Sequence, residues 1–220
     1  MTNRAPGFAA AAFAVCLASC VPWTVRPIGT ETDAGSGPAV AGPVEYVDSI
    51  WSAKLTPAVL NGAVDARVLL DALAASPADA AQRYGHREAN GPVYFLVKGQ
   101  GTVTVVDTRS RMGLALVDVA PYDGRADISI FQIGPVLRGT ALRDATGIVR
   151  FTDFVNQLQF ADVANELNSR VLKTVLAPLD AAKLKGRVLT FAGALAAPDG
   201  KGEPPLCELL PIRLTVEDSR

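Results

Sequence analysis

The chain has 220 residues, 49% of them hydrophobic and 20% charged, a balance that excludes disorder for its bulk and leaves room for one domain or two small ones. Its formal charge of −1 and pI near 5.9 leave no surplus of Lys and Arg to neutralise a phosphate backbone, which argues against nucleic acid as a partner.

In chain order the first segment is of a different kind from the rest. Arg4 precedes an apolar run over residues 8–17 (FAAAAFAVCL), and Leu17-Ala18-Ser19-Cys20 follows at once. The run is too short to cross about 30 Å of hydrocarbon, which takes roughly 20 apolar residues. An ordinary signal peptide would place a small residue where Cys20 stands. The pattern resembles the lipobox of bacterial lipoproteins, so residues 1–19 read as a cleaved signal peptide and Cys20 as the site of palmitate attachment. Cys16 then leaves with the signal and only Cys207 keeps a thiol, so no intrachain disulfide is expected. Stability must come from burial, and three acyl chains at about 0.8 kcal/mol per methylene make the membrane attachment lasting. Val21 follows Cys20 where an Asp would resemble an inner-membrane retention signal, which favours the outer membrane.

Residues 20–43 are rich in Pro and Gly and read as a tether, with Trp23, Val25 and Ile28 as an apolar exception that docks on the body or sits at the bilayer interface, docking being favoured. Residues 44–90 form an expected helical domain. Val44, Val47, Trp51 and Leu55 recur at helical spacing, Asp65 is placed to cap a helix over 66–75, and Ser76-Pro77-Ala78-Asp79 starts another that Gly85 stops. His86 is expected at the surface beyond it.

Residues 91–220 change period. Strands are expected over 93–97 and 102–106, separated by a turn or bulge at Lys98-Gly99-Gln100-Gly101, then over 113–119, 127–133, 187–195 and 209–216, with turns at 121–124 and 199–202. A long helix intrudes before the last two strands. Thr152 is its expected N-cap and Pro178 its end. Phe160, Val163, Ala164, Leu167, Val171 and Val175 make one apolar stripe, and Phe154, Leu158, Leu172 and Leu176 another nearly opposite. Only the sector of Asp162, Glu166, Arg170 and Lys173 is left for water, so the helix should be wedged between barrel and helical domain, with Asn156 and Gln157 as partly buried amides. The fold class expected is α+β: a small OB-like β-barrel with a long inserted helix, plus the small N-terminal helical domain.

Several stretches in one order carry a specific resemblance: YVDSIW near Tyr46, VKGQGTV at Val97, VDTRSRMG at Val106, QIGPVLRGTALRD at Gln132, FVNQLQFADVANELN at Phe154, then GRVLTFAGAL and LLPIRLTV. The chain resembles the predicted periplasmic lipoproteins of domain of unknown function 2291. The resemblance implies a helical domain joined to an OB-like α/β domain. It also implies a setting beside sugar ABC importers, and it supplies no settled biochemical activity.

The residues that could carry chemistry cluster between Gly134 and Gln157. Arg138, Arg143 and Arg150 offer guanidinium forks for carboxylates, phosphates or vicinal hydroxyls, Thr140 and Asp144 further hydrogen bonds, and Gly134 and Gly139 close backbone approach. Together with Asn156 and Gln157 they form the candidate ligand site. The plainer reading stands beside it, in which Arg138 and Arg143 pair with Asp144, Asp153 or helix carbonyls and only lock the loop to the helix. No metal site is expected, since His86 and Cys207 have no neighbours at ligand spacing. No cofactor is expected either, because Gly99-Gln100-Gly101 lacks the third glycine and the helix of a dinucleotide loop. A Ser-His-Asp hydrolase would need His86, and no G-x-S-x-G elbow is present. The function expected is that of a membrane-anchored accessory protein, not an enzyme, binding a sugar ABC importer component or a small polar solute. The alternatives are an envelope hydrolase or sugar-modifying enzyme using carboxylates and the Arg-rich loop, and a purely structural lipoprotein.

Overall fold

The structure, a computed structural model, describes residues 42–88, 91–109, 111, 113–119, 128–130, 133, 136–197 and 207–217. The signal peptide and Cys20, the apolar exception at Trp23, Val25 and Ile28, Gly134 and the turns expected at 121–124 and 199–202 lie outside these residues.

Helix α1 (Pro43–Ile50) starts on its proline, turns Val47 and Ile50 inward and widens into a π-helical turn over Trp51–Leu55 that continues as α2 (Thr56–Gly62). The Asp65 carboxylate accepts from Arg67 N–H at 2.9 Å and starts α3 (Ala66–Ala75), and Ser76 Oγ accepts from Asp79 N–H at 3.2 Å to start α4 (Pro77–Tyr84), which Gly85 closes. Each cap is one that the residue types dictate. His86 departs from expectation. Gly85–His86 pairs with Phe95 and Tyr94, so the imidazole is half-buried, close to Gly147 and with its Nε2 enclosed.

Strand β1 (Tyr94–Asp107) runs without a break through the stretch expected to turn. Its first half pairs with β4 (Val188–Ala196), from Tyr94↔Ala196 to Thr102↔Val188, and its second half with β2 (Leu114–Val119), from Gly101↔Val119 to Asp107↔Leu114. The two glycines mark the overlap rather than a reversal. A Cβ on Gly101 would stand 2.3 Å from Val117 Cγ1, and one on Gly99 2.9 Å from the Ala66 Cβ, so bare backbone is required where neighbours press on a strand passed from one partner to the other. A bulge between Val103 and Val105 adds to the bend.

Strand β3 (Ile128–Ile130) lies antiparallel to β2 and parallel to β5 (Cys207–Glu217), and β5 lies antiparallel to β4. The order β1-β2-β3-β5-β4 thus returns to β1 and closes a five-stranded barrel, the OB-like architecture expected. Strand alternation divides the core. Phe95, Val97, Val103, Val117, Leu189 and Phe191 fill the barrel beneath Ala66 and Leu69 of α3, whereas Tyr94, Ala194, Leu210 and Ile212 face outward. The outward set is covered by Val163, Leu167 and Val171 of α6 (Gln157–Val171) and by Val47, Ile50, Leu55 and Val59 of the N-terminal helices. The long helix is therefore wedged as its stripes require, within one unit, Ser36–Arg220, that holds helices and barrel alike.

Three details of that helix are corrected. It starts at Gln157, with Asn156 Oδ1 accepting from Gln159 N–H at 2.9 Å, while Thr152 sits in a separate 3-10 turn, Phe151–Asp153. Asn156 and Gln157 are exposed rather than partly buried, because a cap residue stands outside the packed turns. Leu158 is 70% exposed, although the other members of its stripe, Phe154, Leu172 and Leu176, are packed against the core. In the charged sector Lys173 is exposed, while Arg170 is partly covered, pairing with Asp48 of α1 and standing 5.8 Å from the Trp51 ring.

Candidate functional site

The segment entering α5 (Ala141–Asp144) is held from two sides. Asn168, buried on α6, donates through Nδ2 to Gly139 O at 3.0 Å, and Gly139 takes φ +98°, a left-handed turn that few other residues tolerate. Tyr94 Oη and Thr140 Oγ1 share a hydrogen bond of 2.9 Å across the mouth of β1. Burial pushes the Tyr94 phenol above its ordinary value, with the Thr140 hydrogen bond opposing and Asp144 assisting, so this hydroxyl stays protonated and serves as a donor and acceptor rather than a base.

Beside this bond lies a cleft of about 160 Å³. Arg138, Glu208, Thr140 and Tyr94 give it its polar wall, and Ala141, Ala196, Leu209 and Leu210 its apolar floor. That volume is about five water molecules' share of liquid, well below the roughly 300–1,000 Å³ of pockets that enclose drug-sized ligands. It suits a small polar solute or one side chain of a partner.

Arg138, Gly139 and Thr140 of the candidate set thus border open space, and Arg143, Asp144, Asn156 and Gln157 do not. Arg143 points away, its Nε 2.6 Å from Asp144 Oδ1, its Nη2 3.0 Å from Asp144 Oδ2 and its Nη1 donating to Phe160 O at 3.1 Å. Both side chains of the pair are only 11% exposed, so here the plainer reading describes the geometry. Arg150 and Asp153 pair separately at 3.4 Å. Asn156 is engaged in capping, and Gln157 opens the helix in solvent. Sequence reasoning missed Tyr94, Asn168 and Glu208. Asn168 had a local signal, an amide on the buried stripe of α6, whereas Glu208 is brought to the cleft by long-range strand pairings, Ser129↔Glu208 on one side and Leu195↔Leu209 on the other. Among the described residues, no three His, Cys, Asp or Glu are placed to hold a metal ion, and no helix is long and apolar enough to cross a membrane.

Comparisons with known proteins agree with this architecture. The model of a family described as predicted periplasmic lipoprotein (DUF2291) matches residues 10–215. Among solved structures, the chain is similar to an OB-fold protein from Thermotoga maritima, with a TM-score of 0.66 and 22% sequence identity over 80% of this chain and 99% of that one, a likeness of fold. No curated protein matches it.

Proposed function

We propose, from the premise that the chain belongs to the predicted periplasmic lipoprotein family (DUF2291), that this envelope lipoprotein is a non-enzymatic accessory protein of ABC-type sugar uptake. Lipid on Cys20 holds it on the periplasmic face of a membrane, and Val21 after that cysteine favours the outer one. The observation that carries the binding role is the cleft. It offers one guanidinium, one carboxylate and a pair of hydroxyls over an apolar floor, groups that recognise a polar solute or a partner side chain by hydrogen bonds. The Arg143–Asp144 pair, closed on itself, takes away from the alternative enzymatic reading a carboxylate and a guanidinium that it would use.

The test is a deletion strain complemented with the native chain, Arg138→Glu or Cys20→Ala. Slowed uptake of at least one sugar that only the native gene restores, with an importer component recovered by crosslinking to the native chain, is the expected result. Unchanged uptake and no recovered importer component would sink the proposal. Palmitate labelling of the native chain and its loss in Cys20→Ala checks the anchor separately.

A further inference from the structure

The start of α6 carries an apolar surface that the packing leaves uncovered. Phe151, Val155 and Leu158 are 50%, 51% and 70% exposed within eight residues of chain. They stand on a fixed base rather than a loose loop. The Phe151 and Phe160 rings meet edge to face at 5.5 Å, Phe154 lies 5.7 Å from Phe160, and the Arg143 guanidinium closes the far side of Phe160 at 3.7 Å. Arg150, two-thirds exposed, precedes Phe151 in the chain and pairs with Asp153 at 3.4 Å, and Asp162 follows Leu158 by one helical turn.

The same corner is where the chain enters the body. Tyr46 packs edge to face on Phe154 at 5.1 Å, and Tyr46 N–H donates to Gly42 O at 2.9 Å, which puts Gly42 one helical turn from the aromatic base. Gly42 follows Cys20 by 22 residues, a reach of at most about 80 Å even when fully extended. An acyl anchor at Cys20 therefore holds the body within that reach of a bilayer by this corner, which raises the effective concentration of lipid surface there. Exposed Phe and Leu flanked by an Arg are the side chains that partition into the boundary between headgroups and acyl chains.

We propose that Phe151, Val155 and Leu158 form a membrane seat: they dip into the phospholipid interface, Arg150 meets lipid phosphate, and the body is held in one orientation. This rests on the lipid-anchor reading above. The occupant is the phospholipid surface; a second copy of the chain is an outcome of the test.

The full lipidated chain, extracted from membranes, is reconstituted into vesicles of phosphatidylethanolamine and phosphatidylglycerol with a nitroxide on Leu158→Cys or, as a solvent-exposed reference, on Gln82→Cys of α4. Cys207 is buried and takes no label. Collision with a water-soluble nickel chelate is expected to be at least fivefold lower at position 158 than at 82, with oxygen collision higher. Phe151→Glu combined with Val155→Glu should abolish that protection while the chain still floats with the vesicles. Equal accessibility at 158 and 82 in a floating chain overturns the seat alone. Protection that vanishes when the chain is diluted twentyfold across vesicles assigns the patch to self-association and also overturns it. A chain that fails to float overturns the anchor, and the seat with it.

Discussion

Arg143 lies flat over Phe160, its guanidinium carbon 3.7 Å from the ring centre, while the edge of the same group grips Asp144 through two hydrogen bonds. One side chain thereby ties α5 to α6 by stacking, ion pairing and a bond to the Phe160 carbonyl, and none of its donors is turned to the cleft that Arg138 lines.

Removing that side chain strands its partner. Arg143→Ala should cost about 3–5 kcal/mol, because the Asp144 carboxylate is left buried without its counter-charge. Arg143→Lys keeps the charge but loses the fork and the stacking, and should fall between the two. Replacing both residues together, Arg143→Met with Asp144→Leu, should restore most of the loss. Urea unfolding midpoints decide this, and a cost below about 1 kcal/mol for Arg143→Ala would show that the pair is ornamental.

Asn156 and Gln157 should separate cleanly by a stability measurement. Asn156→Ala removes the acceptor for Gln159 N–H and is expected to cost about 1 kcal/mol, while Gln157→Ala, exposed in the first turn, should stay within about 0.5 kcal/mol. Thermal unfolding followed by circular dichroism checks both. Equal effects would mean that the cap is not the reason for Asn156.

Gly101→Ala places a methyl group 2.3 Å from Val117 Cγ1 and 2.8 Å from the Asp118 carbonyl oxygen. Since the carbonyl belongs to a paired strand, relief requires β1 and β2 to move apart, and a loss of about 1–3 kcal/mol is expected. Denaturant unfolding of the variant measures this, and a neutral result would speak against the close approach of β2 at Gly101.

Alkaline pH should weaken the fold in two stages. Burial pushes the Cys207 thiol from about 9 up to about 11, so the folded chain holds that proton longer than the unfolded one. Its contribution is full below pH 9 and declines between about 9 and 11, by about 2–3 kcal/mol in all. Tyr94 and Tyr46, both raised above 10 chiefly by burial, steepen the fall above pH 10 in the same direction. Urea midpoints from pH 8 to 11 test the sign, Cys207→Ala should flatten the first stage, and the native thiol should resist disulfide reagents at pH 8 until the chain unfolds.

Much of the fold was legible because its signals are local. Asp65 and Ser76 announce helix starts within three residues of themselves, and the alternation and β-branching of the later segments announce strands. The candidate site was legible only in part. Arg138 and Arg143 are five residues apart and look alike in sequence, yet one borders the cleft and the other is enclosed, since α5 and the Phe160 ring intervene.

The strand segments on either side of the inserted helix, the caps of α3 and α4 and the buried stripe of α6 were written in the sequence, because each depends on neighbours no more than a few positions away. Tertiary structure alone decided that the two glycines of β1 mark a strand shared between two partners, that Leu158 is bare while Leu176 is covered, and that Glu208 faces Tyr94 and Thr140 in one cleft. Those outcomes depend on contacts between segments as far apart as Tyr94 and Ala196, where the barrel closes, and no local periodicity encodes which surfaces a closed barrel will leave open.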